Sequence, residues 1–173
     1  ARNYIKRFNP EVIWVTWSIW KTSCRMIIYD ILSNYLPEKK VYTSKKNFNW
    51  ELWMSLSILW IWDYEPRFFS VIQTIFKTLF ISLFWKKQYD LIVLEYWIDH
   101  MWEMDFLLSI VKPNISVVTK IDKVHSMQFK NKEITAFEKY KLPKNTVDFC
   151  FLNFDDEFAI KFEKEIITKK YFY

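Results

Sequence analysis

Lys21, Thr22 and Ser23 stand between an apolar run and an amphipathic one, which is the order a phosphate site needs. Val12, Ile13 and Val15 read as a buried strand, the residues up to Trp20 as a turn, and Cys24 to Tyr35 as a helix. In that layout the helix N-terminus and the backbone N–H groups of the turn hold phosphates. The Lys meets the terminal phosphate and the Thr hydroxyl reaches Mg2+. Such a turn calls for glycine, for positive φ and for close approach of backbone to phosphate, yet the glycine places are Trp14, Trp17 and Trp20. Two more groups carry chemistry. Glu95 closes an apolar run, where a charge needs a cation or a hydrogen-bond donor. Its partner is Mg2+ bridging ATP phosphates, a Lys, or simply solvent. His125 lies just past another apolar run, and it becomes a candidate metal ligand only if Glu95 and the phosphate loop share its sheet edge.

The tryptophans are a property of the whole chain. A protein of this length ordinarily holds roughly 12 glycines; this one has none, and it has ten tryptophans, most at turn-like places. Turns need glycine more than any other residue, so we read Trp as standing for Gly. A genetic code in which UGA specifies glycine, read with one in which UGA specifies tryptophan, produces this pattern. Literal tryptophans would instead make the loop degenerate and the chain a non-catalytic α/β module.

The elements that must position these groups follow from hydrophobic periodicity. Residues 12–16, 40–44, 90–96, 115–121 and 147–153 read as strands, several continuously apolar, as in a sheet covered on both faces. Helical patterns at 22–36, 51–60, 67–84, 102–111, 131–141 and 156–167 alternate with them. The alternation predicts an α/β fold with a mainly parallel sheet sandwiched by helices, and ligands in such folds gather beyond the carboxyl ends of the strands. With 173 residues the chain can bury a substantial core.

Charge and composition narrow the function classes. The net charge of +5 is scattered and suits an anionic ligand or a solvated surface. The aromatics fall in core-like periodicity, which argues against nucleic acid as a partner. Cys24 and Cys150 are isolated, with no metal-ligand spacing, and read as reduced thiols of a cytoplasmic protein. Residues 1–10 lack the architecture of a signal peptide and read as a helix entering from a preceding region. The apolar stretch 68–84 contains Gln73 and Lys77, so it is expected to be a buried helix on a sheet face rather than a membrane insertion.

With Gly restored for Trp, the chain reads VIGVTGSIGKTS, FNGELGMSLSIL, YDLIVLEYGIDHMGEMDFLLSIVKPNISVVTKIDKVH, EKYKLPKN and FLNFDDE in order. This series resembles the central ATP-binding domain of the Mur ligase family, over nearly the whole chain. Thr22-Ser23 after the loop Lys sets it apart from folylpolyglutamate synthase, a related ligase that usually has Gly-Ser there and remains the alternative. The resemblance implies a P-loop NTPase-like domain at 11–173, preceded at 1–10 by the end of a linker from an N-terminal domain, with that domain and a C-terminal ligase domain lying outside this sequence.

It also implies roles for particular residues. Trp17, Ser18, Trp20, Lys21, Thr22 and Ser23 would line the phosphates of ATP, and Asn153 and Asp156, with Asp155, would lie beside the adenosine. Thr22, Glu95 and His125 would ligate Mg2+. Lys139 matches a lysine that the family carbamylates, and Asn47 and Asn49 would face the muramoyl substrate. Asp156 also reads, without the family, as a cap for the helix after it. Lys120 departs from the pattern, replacing the family's Asn. The implied reaction is ATP-dependent amide formation in peptidoglycan precursor synthesis. The carboxylate of a UDP-muramoyl-peptide attacks the γ-phosphate to give an acyl phosphate, and an amine such as that of D-alanyl-D-alanine then displaces phosphate. A cytoplasmic monomer is the implied setting.

Overall fold

The computed structural model describes residues 1–16, 21–44, 51–59, 61, 68–84, 86–95, 98, 100–121 and 132–173. Helix α1 (Arg2–Phe8) leads into strand β1 (Glu11–Thr16), α2 (Lys21–Tyr35), β2 (Val41–Thr43), α3 (Glu51–Ile58), α4 (Phe68–Phe84) and β3 (Leu91–Glu95). There follow α5 (Glu103–Ile110), β4 (Ile115–Val118), α6 (Lys132–Lys144), β5 (Phe149–Leu152), α7 (Glu157–Phe162), a 3-10 turn (Glu163–Glu165) and β6 (Lys169–Phe172). The strands form one sheet in the order β2-β3-β1-β4-β5-β6, and every pairing is parallel.

Alternation along β1 sorts the core into two layers, because successive side chains of a strand point to opposite faces. Val12 and Trp14 pack with Tyr4 of α1, Met54 of α3 and Met104 and Leu107 of α5. Ile13 and Val15 meet the other layer, where Cys24, Ile28 and Leu32 of α2 lie on the sheet. Beside the first layer, Tyr140 of α6 and Phe158 and Phe162 of α7 cover Val118, Cys150 and Leu152 of β4 and β5. Helix α2 stops just before Pro37, which lacks the N–H that a further turn would use. Cys24 and Cys150 are both free thiols, and burial pushes that of Cys150 up to about 11, which keeps it protonated and unreactive.

Three features depart from the sequence reading. First, β6 has no counterpart among the expected strands: it is short, half of it is lysine, and most of it is exposed, so it carries no apolar run to find. Second, α4 is not buried on a sheet face. It packs against α1; among its described hydrophobics only Ile81 falls in the buried core, and Phe69, Phe76 and Phe84 are 83%, 69% and 70% exposed. Ser70, Gln73, Thr74, Lys77, Thr78 and Ser82 recur at helical spacing and leave one broad apolar face, which periodicity assigns to the interior and which the structure leaves exposed. Third, Trp14, within the expected strand but read as a glycine place, is a fully buried core side chain of β1. Trp102 does occupy a glycine-like place, with φ 74 just before α5, a region that costs a bulky residue on the order of 1–3 kcal/mol.

Candidate active site at the carboxyl edge of the sheet

The strand order decides what meets what. β1 lies between β3 and β4, with Val15 level with Glu95 and Thr16 level with Val118. The chain leaves β1 through α2 toward β2 on one side, whereas the connection from β3 crosses to β4 on the other. A crevice opens beyond the carboxyl ends of the strands where connections part in this way. The exits of β1 at Thr16, β3 at Glu95 and β4 at Val118 therefore share one edge. Thr119 N–H donates to Thr16 C=O at 3.4 Å and holds the exits of β4 and β1 together.

Thr22 and Ser23 are exposed in the first turn of α2, which begins at Lys21. A helix of this length presents unsatisfied N–H groups and a partial positive charge at that end. Trp17, Ser18, Trp20, Asn47, Asn49 and His125 lie outside the described residues, as does the side chain of Lys21.

Glu95 has a cation beside it, and that cation is Arg25 of α2. Arg25 Nε lies 3.3 Å from Glu95 Oε2, the two side chains being 2% and 8% exposed. The guanidinium Nη1 also donates to the carbonyl and the hydroxyl of Ser44, at the exit of β2. One buried side chain thus ties the ends of β2 and β3 to the helix that follows β1. Burial lowers the pKa of Arg25 and the Glu95 carboxylate opposes that, so the guanidinium stays charged. The sequence reading of Glu95 named a metal, a Lys or solvent and missed Arg25. The signal was there: Arg25, Ile28 and Leu32 recur at helical spacing, which puts a charge on the stripe facing the sheet.

Asp156 is buried and caps α7, its Oδ1 accepting from Phe158 N–H at 3.0 Å. Its Oδ2 accepts from Ile121 N–H at 2.9 Å, which anchors the start of the segment that carries His125. Asn153 Oδ1 accepts from Asp155 N–H at 2.9 Å, turning the chain after β5. Lys139, on α6, is buried. Its neighbour Glu138 is also buried and was not foreseen. Its Oε1 accepts from Met104 N–H at 3.2 Å and its Oε2 lies 2.6 Å from Lys141 Nζ, so α6 supplies the cap that the first turn of α5 lacks.

Two carboxyls should titrate in opposite senses. Burial raises the pKa of Asp156, only partly offset by the N–H groups of Phe158 and Ile121. The folded chain therefore holds a proton that the unfolded chain has lost, and Asp156 adds stability as pH falls through its raised value. Asp90 is lowered, first by the Lys40 N–H and then by Lys87; its contribution is present above the ordinary carboxylate value and is lost as pH falls through the folded one. Carboxyl-carbon NMR is expected to place Asp156 above and Asp90 below the unfolded aspartate, and the reverse order would refute both assignments.

The model of the Mur ligase middle domain matches residues 15–173. The UDP-N-acetylmuramoyl-tripeptide–D-alanyl-D-alanine ligase of Borreliella burgdorferi is 27% identical over 160 residues, which span 92% of this chain and 29% of that protein. Among solved structures, MurF ligase from Thermotoga maritima in complex with ADP superposes with a TM-score of 0.71 at 21% identity, over 99% of this chain and 34% of its own. The bifunctional folylpolyglutamate synthase/dihydrofolate synthase of Yersinia pestis, complexed with AMPPNP and Mn, gives 0.54 at 14% identity, over 99% of this chain and 46% of its own. The chain thus spans about a third of the length of its ligase relatives, and the family match runs from the end of β1 through β6. With a parallel sheet, a helix after its central strand and a match over that span, this chain belongs to the Mur ligase family, as its middle domain.

Proposed function

We propose that this chain is the ATP-binding part of a longer ligase that joins D-alanyl-D-alanine to a UDP-muramoyl-tripeptide. The observation that carries the reading is the placement of β1 between β3 and β4, which brings the exit toward Lys21, Glu95 and the entry to the His125 segment to one edge. The named activity of the Borreliella relative and the ADP in the Thermotoga structure support it. Within that reading the loop with Trp17, Ser18 and Trp20 and the first turn of α2 hold the phosphates. Lys21 meets the charge that develops on phosphoryl transfer. Asn153 and Asp156 border the adenosine, Asp156 by fixing the loops around it, and Asn47 and Asn49 face the muramoyl group.

Thr22 and Glu95 are hard oxygen donors at one sheet edge, a set that fits Mg2+, and His125 and a carbamylated Lys139 would complete it. Mg2+, when bound, supplies charge neutralisation at the phosphates. A carboxylate has about four acceptor sites, so an ion pair with Arg25 and a metal contact are chemically compatible. The N- and C-terminal domains of such a ligase would bind the UDP moiety and the amine, in a cytoplasmic monomer. Should the tryptophans be literal, the full burial of Trp14 favours the second reading, a stable module without ATP chemistry.

Lys21 and Glu95 provide the test. In the full-length chain, Lys21→Ala is expected to lower ligase turnover by about 100-fold or more, the scale of a lost charge-stabilising donor. Glu95→Gln is expected to raise the Mg2+ concentration needed for ATP binding, read by calorimetry. Unchanged turnover in the first variant together with unchanged Mg2+ dependence in the second would sink the assignment.

A further inference from the structure

Helix α4 shows water a broad apolar face. Ile72, Ile75, Phe76, Phe80, Leu83 and Phe84 are all exposed, and at 100° per residue they cover about half of the helix circumference. Most of the charge around that face is positive, with Asp90 paired to Lys87 at 2.9 Å at its border. Residues 1–10 and 66–89 hold seven Lys and Arg (Arg2, Lys6, Arg7, Arg67, Lys77, Lys86 and Lys87) and no Asp or Glu, in a chain with 20 acidic residues. The structure brings the two stretches together, since α1 packs on α4 and Arg7 Nη1 donates to Leu83 C=O at 2.5 Å at an exposed site. Lys86 and Lys87 follow the helix directly and are exposed.

We propose that the α1–α4 side is a membrane-docking surface, with the apolar face of α4 seated in the interface of an anionic bilayer and the basic residues around it on lipid phosphates. The helix cannot cross: 17 residues reach about 26 Å against a hydrocarbon core of about 30 Å, and Lys77 lies near its middle. An exposed apolar stripe flanked mainly by cations is the pattern of a helix lying in the headgroup plane. A second copy is the poorer occupant, because a two-fold contact through α4 would set the two cationic rims against each other. The same electrostatics disfavour a neutral protein surface. This surface is separate from the carboxyl edge of the sheet and does not depend on the function proposed there.

The test uses the full-length chain and vesicles of phosphatidylcholine with or without about a third phosphatidylglycerol. Co-sedimentation with the anionic vesicles is expected, at least about tenfold stronger than with phosphatidylcholine alone and weakened by 0.5 M salt, at which exposed charges are screened beyond roughly 4–5 Å. Phe76→Ser with Leu83→Ser is expected to lower it about tenfold with circular dichroism and melting temperature unchanged, both positions being exposed. Lys77→Glu with Lys86→Glu is expected to remove the preference for anionic lipid. Absence of vesicle binding, binding indifferent to both pairs of substitutions, or a dimer in sedimentation velocity that the Phe76/Leu83 pair dissolves would overturn the proposal. So would failure of a cysteine at position 76 to react with a soluble maleimide, which would show that the rest of the chain covers α4.

Discussion

A full-length chain with glycine at 17 and 20 is expected to bind ATP–Mg2+ at least about 100-fold more tightly than the same chain with tryptophan at both. Each bulky residue held at positive φ costs on the order of 1–3 kcal/mol, and about 1.4 kcal/mol is a factor of ten in affinity. An indole between the end of β1 and the first turn of α2 would also fill space meant for phosphate. Position 14 belongs outside this comparison. As tryptophan it fills the core between β1, α3 and α5, and emptying that site would cost about 3–5 kcal/mol. Calorimetric titration of the two chains checks the affinity. The mass of the tryptic peptide running from Phe8 to Lys21, taken from the protein made in its own cell, tells which residues that cell inserts. Equal affinities would mean that the loop after β1 holds no phosphate.

The second large effect is expected at Arg25. Arg25→Met leaves the Glu95 carboxylate buried beside a thioether and removes the donor to Ser44, so a loss of about 3–5 kcal/mol is expected. For a domain of this size that is a fall in melting temperature of about 10 °C. The double variant Arg25→Met with Glu95→Leu is expected to recover most of it, because a buried pair replaced by apolar residues is often neutral. Thermal unfolding of the four chains of the cycle measures the coupling. A single variant as stable as the parent would show that the pair does not hold β2, β3 and α2 together.

Most of the fold was legible in the residues because its strands are buried and its crossovers are long. The run at 12–16 appears as β1 with Glu11 added at its start, and those at 90–96 and 147–153 appear as β3 and β5 trimmed by up to two residues at either end, since apolar runs extend beyond the hydrogen-bonded ladder. The six helical patterns all appear, and α6 continues through Pro143 to Lys144 because Leu142 and Pro143 are packed in the core. β6 was illegible: KKYF has no buried face, so its pairing with β5 comes from the tertiary position of the chain.

By itself the sequence determined that a strand, a turn and Lys21-Thr22-Ser23 stand in the order of a phosphate site, and that a carboxylate ends an apolar strand, because both are local patterns of residue type. Only the tertiary structure decided the partners. Glu95 meets Arg25 because β3 pairs with β1 and α2 lies over both. Asp156 reaches Ile121 because β5 lies beside β4. The exposure of α4 is a fact of the same kind: its amphipathic pattern assigns the apolar face to an interior, and only its packing on α1 shows that this face is left open.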